Sequence, residues 1–367
     1  MLKSWNILLI GLLSLSLAAC GGEATDTGTQ DGTTTDGADG ADSTTGDSTT
    51  GGNGDSSDPT GGAADAIGQV PFDCHGQAGV EGLHGSWQAG TEAREFYAHL
   101  PNVDADTPIS VIFAWHGVGD TAANFQNFIA PTPDGDADFP YVMIFPQGMR
   151  LQPVNFGGGS SAVGIEWDIF ESQQGDDNLE AALFETVLGC LAEEYTIDAG
   201  RIYHMGFSGG AILSAMMHSR YPEMVGAAYI MSGAWFNSAD TVDAIDTGML
   251  TINFRWDELS PAHEGTILMT HGGANDVYAN PQFSMAGVGN GGRIISFEDS
   301  ANFAHSHLPN HNRNVIDCAH TGGHVNHPNM SNNLVKEFFK AHRAGKVSPY
   351  LMDGLPASLD SFCRLNP

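Results

Sequence analysis

The chain of 367 residues carries 44 Asp and Glu against 13 Lys and Arg, a formal net charge of −31. It shows no Lys/Arg cluster, which excludes nucleic acid as a partner because phosphate contacts need such clusters. Polyanionic substrates are disfavoured for the same reason. Neutral esters and neutral polymers stay open.

The first residues read as a targeting segment. Met1-Leu2-Lys3 gives a short positive start, and the apolar stretch Ile7 to Leu17 is too short for a comfortable membrane span. It runs into Leu17-Ala18-Ala19-Cys20-Gly21, which resembles a bacterial lipobox. That resemblance implies cleavage before Cys20, lipid on its sulfur, and residence at the bacterial cell envelope or surface, with later release into the medium still open. Residues 20–65 follow as the lipidated cysteine and a tether of Gly, Thr, Ser, Ala and Asp. The tether has no Lys or Arg and, Pro59 aside, no apolar side chain larger than Ala. Such a composition cannot bury enough surface to offset its ordering entropy. A disordered tether of about 45 residues has a root-mean-square span of about 35–40 Å. Residues 66–367 remain for one large folded domain, itself acidic. Its four cysteines, Cys74, Cys190, Cys318 and Cys363, predict two disulfides in an exported protein, with three pairings open. No CxxC or HExxH motif is present, and no metal or cofactor is implied.

Along the domain, short apolar runs alternate with helical patterns. Strands are predicted at Glu95 to Leu100, Ser110 to His116, Tyr141 to Phe145 and Arg201 to Met205. Further strands are predicted at Ala227 to Met231, Thr266 to Thr270 and, last, Asn314 to Asp317. Apolar residues at helical spacing mark Asn178 to Glu194 and Ala211 to Ser219, and Ser331 to Arg343 reads as a closing helix. This alternation predicts a mostly parallel sheet with helices on both faces. In such sheets the loops at the carboxyl ends of the strands carry the site.

Four of those strand ends carry chemistry-bearing residues. In Gly206-Phe207-Ser208-Gly209-Gly210, small residues two positions either side of a serine allow a sharp strand-to-helix turn that exposes its hydroxyl. Ser208 is the candidate nucleophile. His116-Gly117-Val118-Gly119 supplies candidate backbone donors for a developing oxyanion, Gly117 or Val118, to pair with the N–H of Gly209. Asp276, after His271-Gly272, is placed to orient an imidazole. The base is sought among His320, His324 and His327. His324 is preferred because Gly322-Gly323 lets its loop reach back over the sheet, and His320 is the alternative. Trp167 and Trp235 could line an acyl or aromatic pocket or pack in the core. The histidines at 305, 307, 311, 320, 324 and 327 crowd one region without the spacing or carboxylates of a metal site.

Taken together, these segments resemble the polyhydroxybutyrate depolymerase, feruloyl esterase and acetyl xylan esterase group of α/β-hydrolases. The resemblance rests on Trp115-His116-Gly117, Phe145 to Gly148, Asp198 to Gly210, Met231-Ser232-Gly233, His271 to Asp276 and Gly322-Gly323-His324. It implies an α/β-hydrolase fold and a serine esterase acting through an acyl-enzyme, with the triad in the chain order Ser208, Asp276, His324. Its substrate would be a neutral polyester or a plant-wall ester. Gly209 departs from the group, where Asn or Ala is common, and one extra residue lies between His271-Gly272 and Asp276. A peptidase of the same superfamily and a surface-tethered binding protein are the alternative readings. The sequence says nothing of oligomeric state.

The lipobox reading carries a test. Cys20→Ala is expected to release the protein from the membrane fraction or block its processing. Unchanged fractionation, with an unmodified Cys20 by mass spectrometry, would remove the anchor.

Overall fold

The computed structural model describes residues 70–77, 79–80, 82–149, 154–155, 162–163, 166–169, 178–237, 256, 258–279 and 293–366. All lie within one compact unit, Ser57–Pro367. The expected signal peptide, Cys20 and the expected tether, residues 1–65, lie outside the described residues.

In chain order the strands are β1 (Gly82–Ala89), β2 (Glu92–His99), β3 (Ile109–Trp115), β4 (Tyr141–Pro146), β5 (Val154–Asn155), β6 (Ala162–Val163) and β7 (Ile197–Phe207). They continue with β8 (Val225–Met231), β9 (Gly265–His271), β10 (Val277–Ala279), β11 (Arg293–Ser296), β12 (Arg313–Ala319) and β13 (Arg364–Asn366). The α-helices are α1 (Ala122–Ile129), α2 (Leu179–Glu194), α3 (Gly209–Arg220), α4 (Phe297–His307), α5 (Asn332–Ala341), α6 (Pro349–Asp353) and α7 (Ala357–Asp360).

Nine strands form one sheet in the order β1-β2-β4-β3-β7-β8-β9-β12-β13. From β4 to β12 neighbouring strands are parallel; β1, β2 and β13 add antiparallel edges. Strands β3, β4, β8 and β9 are buried along their whole length, as continuous apolar runs require when both faces are covered. Side chains alternate between two cores with the period of the pleat. Val111, Phe113 and Trp115 meet Phe184 and Leu188 of α2 and Leu213 and Met217 of α3. Ile112 and Ala114 face the other way, toward Phe125 of α1 and Phe338 and Phe339 of α5.

Helix α2 begins where the side chain of Asn178 accepts the N–H groups of Glu180 and Ala181. A buried ion pair lies in its first turn: Arg94 donates to Glu180 at 2.6 Å, both side chains wholly out of solvent. Burial pushes the Glu180 carboxyl up and Arg94 opposes that.

The mostly parallel sheet matches the expectation, but the edges do not. β1 escaped notice because Gly82 and Gly85 break its apolar alternation. α4 is polar throughout most of its length and is set instead by its cap, Ser296 accepting the N–H of Asp299. Asn314 to Asp317 is not the last strand, nor is the helix after Ser331 the last helix. α6 and α7 follow, and β13 pairs antiparallel with β12. Three residues are too few to show a period.

The cysteines pair as Cys74–Cys190, tying the segment before β1 to α2, and Cys318–Cys363, tying β12 to the turn before β13. Each closed loop is worth on the order of 2–4 kcal/mol. Reductant is therefore expected to lower the melting temperature, and the two double Cys→Ser variants, one per bridge, should each account for part of the fall. Four titratable domain thiols in denaturant without reductant would contradict both bridges.

Candidate active site

Strand β7 ends at Phe207, and Ser208 turns the chain into α3 with φ of 55°. The turn is possible because two glycines let helix and sheet touch through their backbones. A Cβ on Gly206 would lie 2.3 Å from the carbonyl oxygen of Gly210, and one on Gly210 would lie 2.1 Å from that of Trp115. Ser208 is anchored by its own N–H, which donates to the Met231 carbonyl at 2.9 Å.

His324 stands between Ser208 and Asp276. Its Nε2 is 2.9 Å from Ser208 Oγ and its Nδ1 is 2.6 Å from Asp276 Oδ1. An ionised carboxylate only accepts, so Nδ1 carries the proton and Nε2 faces the serine hydroxyl as acceptor. The other carboxylate oxygen, Oδ2 of the buried Asp276, accepts from Ser232 Oγ and from the Gly272 N–H, both at 2.7 Å. The imidazole lies between the rings of Phe207 and Phe297, centroids 4.8 and 4.9 Å away. Its loop reaches back through a glycine contact: Gly323 donates to the Gly272 carbonyl, and a Cβ on Gly272 would lie 1.9 Å from Gly323 O. A short 3-10 turn, Gly273–Asn275, leads into Asp276.

His320 is turned elsewhere. Its Nδ1 accepts the Gly322 N–H at 3.0 Å and its ring meets that of His327 edge-on. Burial holds its pKa below the ordinary imidazole value. Among the described residues no group of three or more His, Cys, Asp or Glu is arranged to hold a metal ion.

The loop after β3 lies against the start of α3. Val118 N is 3.6 Å from the Cβ position of Gly209, and a Cβ there would meet Val118 Cγ2 at 2.6 Å. That close approach gives the departure to glycine at 209 a reason. The loop is held from behind. His116 is buried, and burial lowers its pKa, which keeps it neutral. Its Nε2 accepts the Gly148 N–H at 2.9 Å, so Nδ1 carries the proton, 2.8 Å from the Gly117 carbonyl. Glu166 Oε2 takes the Gly119 N–H at 3.0 Å.

Trp167 belongs to this support. It is fully buried, its indole N–H donates to the His116 carbonyl at 2.9 Å, and its ring packs edge-on against Trp115. Trp235 is equally buried within the core. Of the two uses open to these tryptophans, the structure gives them packing, since neither presents a face to solvent. Sequence reasoning did not single out Ser232, Gly272 and Glu166, which hold Asp276 and the Val118 loop. Nothing in the serine of Met231-Ser232-Gly233 announces a side chain aimed at a carboxylate 44 residues away.

A family model described as phospholipase/carboxylesterase matches residues 103–259, a span that includes Ser208 but neither Asp276 nor His324. A search of curated protein sequences finds no match. Among solved structures, a serine-to-alanine variant of pOPH with pNPB is 17% identical, with a TM-score of 0.59 over 81% of this chain and 97% of that one. Native sOPH is also 17% identical, with a TM-score of 0.56 over 78% and 94%. The chain is an α/β-hydrolase by fold.

Behind the site of this α/β-hydrolase, β12 carries a buried carboxylate. Asp317 Oδ2 accepts from Nε and a terminal nitrogen of Arg364 at 2.8 and 2.6 Å, and Oδ1 is 3.4 Å from His271 Nε2. Burial alone would raise the Asp317 carboxyl. The paired hydrogen bonds and charge of Arg364, with the His271 imidazole beside Oδ1, outweigh it and hold the group below its ordinary value. A carboxyl lowered on folding contributes stability above its unfolded pKa, and that contribution is lost as pH falls through the folded one. The melting temperature is therefore expected to fall below about pH 5. Asp317→Asn should be less stable at neutral pH and show a shallower acid slope, the remainder coming from Asp136, which Lys340 lowers in the same way, and from the buried histidines His204, His218 and His342, which burial keeps neutral. Parallel slopes in both proteins would show that the Asp317 cluster contributes nothing.

Proposed function

We propose that this protein is an exported serine esterase that cleaves neutral carboxylic esters through an acyl-enzyme. The observation that carries this reading is the unbroken relay of Ser208 Oγ, His324 and Asp276, with contacts of 2.9 and 2.6 Å. Ser208 attacks the ester carbonyl while His324 Nε2 takes its proton. Asp276 steadies the imidazolium without itself being protonated. The oxyanion meets the amides of Val118 and Gly209, with Gly117 as the alternative loop donor. His324 then returns the proton to the departing alkoxide, leaving the acyl group on Ser208. Water, activated by the same imidazole, releases the acid.

Two features favour a neutral, partly apolar substrate. Val118 and Val325, on the loops that carry the amide donor and the base, are among the exposed apolar side chains. Glu166 and Asp120, beside the Val118 loop, would repel an anion. A polyhydroxyalkanoate-type polyester or a feruloyl or acetyl plant-wall ester meets these terms. Within this reading Cys20 holds the enzyme to the envelope while the tether lets the domain reach an insoluble or cell-external substrate.

The test is non-additivity. Ser208→Ala and His324→Ala should each lower turnover of a short p-nitrophenyl ester by roughly three or more powers of ten, and the double variant should be little worse than either. His320→Ala should keep most activity. Failure of a fluorophosphonate probe to label Ser208, or full activity in the His324 variant, would overturn the proposal. A panel of acetyl, feruloyl and 3-hydroxybutyrate oligomer esters then sorts the substrate.

A further inference from the structure

We propose that Ser232 is a positioning residue of the esterase reaction, a fourth member that fixes which oxygen of Asp276 faces His324. The inference rests on the Ser208–His324–Asp276 reading above. Ser232 is the first residue after β8, the strand lying between β7, which delivers Ser208, and β9, which leads to Asp276. It is 1% exposed, and its hydroxyl is 2.7 Å from Asp276 Oδ2. A carboxylate has no proton to give, so the serine donates.

The backbone makes the case sharper. Ser232 sits at φ of 55°, in the left-handed region where a side chain is strained and glycine is at ease. Its N–H is fixed on the Thr270 carbonyl at 2.8 Å. The turn alone would be served better by glycine. What serine adds at this strained position is a hydroxyl, and the partner that hydroxyl meets is Asp276.

The consequence for catalysis is geometric. The Ser232 hydroxyl and the Gly272 N–H both bind Oδ2, so Oδ1 is the oxygen left for Nδ1 of His324. Two donors on one oxygen resist rotation of the carboxylate about its Cβ–Cγ bond. That in turn holds the imidazole with Nε2 toward Ser208. With its single proton committed to Asp276 and its side chain buried, Ser232 touches no substrate.

Ser232→Gly separates this role from a structural one. Glycine suits the turn, so the variant should fold and melt at or above the wild-type temperature. Its kcat for a soluble p-nitrophenyl ester should nevertheless fall about tenfold or more, with KM nearly unchanged. The far-downfield proton resonance of the His324–Asp276 bond, read in the substrate-free protein, should move or broaden. Ser232→Ala should show the same kcat loss with a lower melting temperature, because it keeps the strained φ. A glycine variant with wild-type kcat and an unmoved resonance would overturn the proposal. If Ser208→Ala abolishes activity while Ser232→Gly is unaffected, only the role of Ser232 fails. If Ser208→Ala stays active, the esterase reading fails, and the role proposed for Ser232 falls with it.

Discussion

Helix α3 meets the sheet through bare backbone, and the site follows from that contact. With Gly206 and Gly210 at the junction, the helix start comes within reach of the carbonyls of Trp115 and His116. Any side chain at either position would force helix and sheet apart. The approach does two things at once. It bends Ser208 into the left-handed region, where its hydroxyl stands clear of the sheet. It also brings the amide of Gly209 beside the Val118 loop, so the Ser208 hydroxyl and these backbone amides share one origin. The same device recurs where Gly272 and Gly323 touch and bring His324 over the sheet.

Around that junction the strand ends are stitched in sequence. Ser208, after β7, donates to the last residue of β8, Met231. Ser232, after β8, donates to Thr270 near the end of β9. His320, after β12, donates to His271, the last residue of β9. Each loop thus leaves the sheet from a point fixed by its neighbour. The side chains that meet across these exits are thus positioned by the sheet rather than by the loops themselves. Buried groups behind the front row add to this: the neutral imidazole of His116 fastens the Val118 loop, and Asp317 with Arg364 fastens the β12 edge.

What the sequence disclosed and what it concealed divide along physical lines. The central strands were legible because strands buried on both faces must be apolar throughout, and the β7–Ser208–α3 turn because only small residues fit there. Gly322 and Gly323 mark a loop free to turn back, and the structure sets His324 of that loop, not His320, between Ser208 and Asp276. Edge elements were not legible. β13 is too short for a period, β1 is interrupted by glycine, and α4 depends on the Ser296 cap more than on an apolar face. The tryptophans were ambiguous because an indole serves a pocket or a core equally well, and only the partner of its N–H, the His116 carbonyl for Trp167, tells which. The cysteine pairing lay in the tertiary structure alone.

The ion pair between Arg94 and Glu180 has a bearing on how this fold can diverge. Both side chains are wholly buried, and the pair is wired onward: Arg94 also donates to the Leu179 carbonyl, and Glu180 lies against the backbone of Asp168, next to Trp167. Loss of either partner strands a charge in the interior, at a cost of about 3–5 kcal/mol, whereas replacing both with well-fitted apolar side chains is close to neutral. Single steps from one state to the other pass through a destabilised intermediate. Positions 94 and 180 are therefore coupled in descent, 86 residues apart in the chain, and homologues should carry both charges or neither.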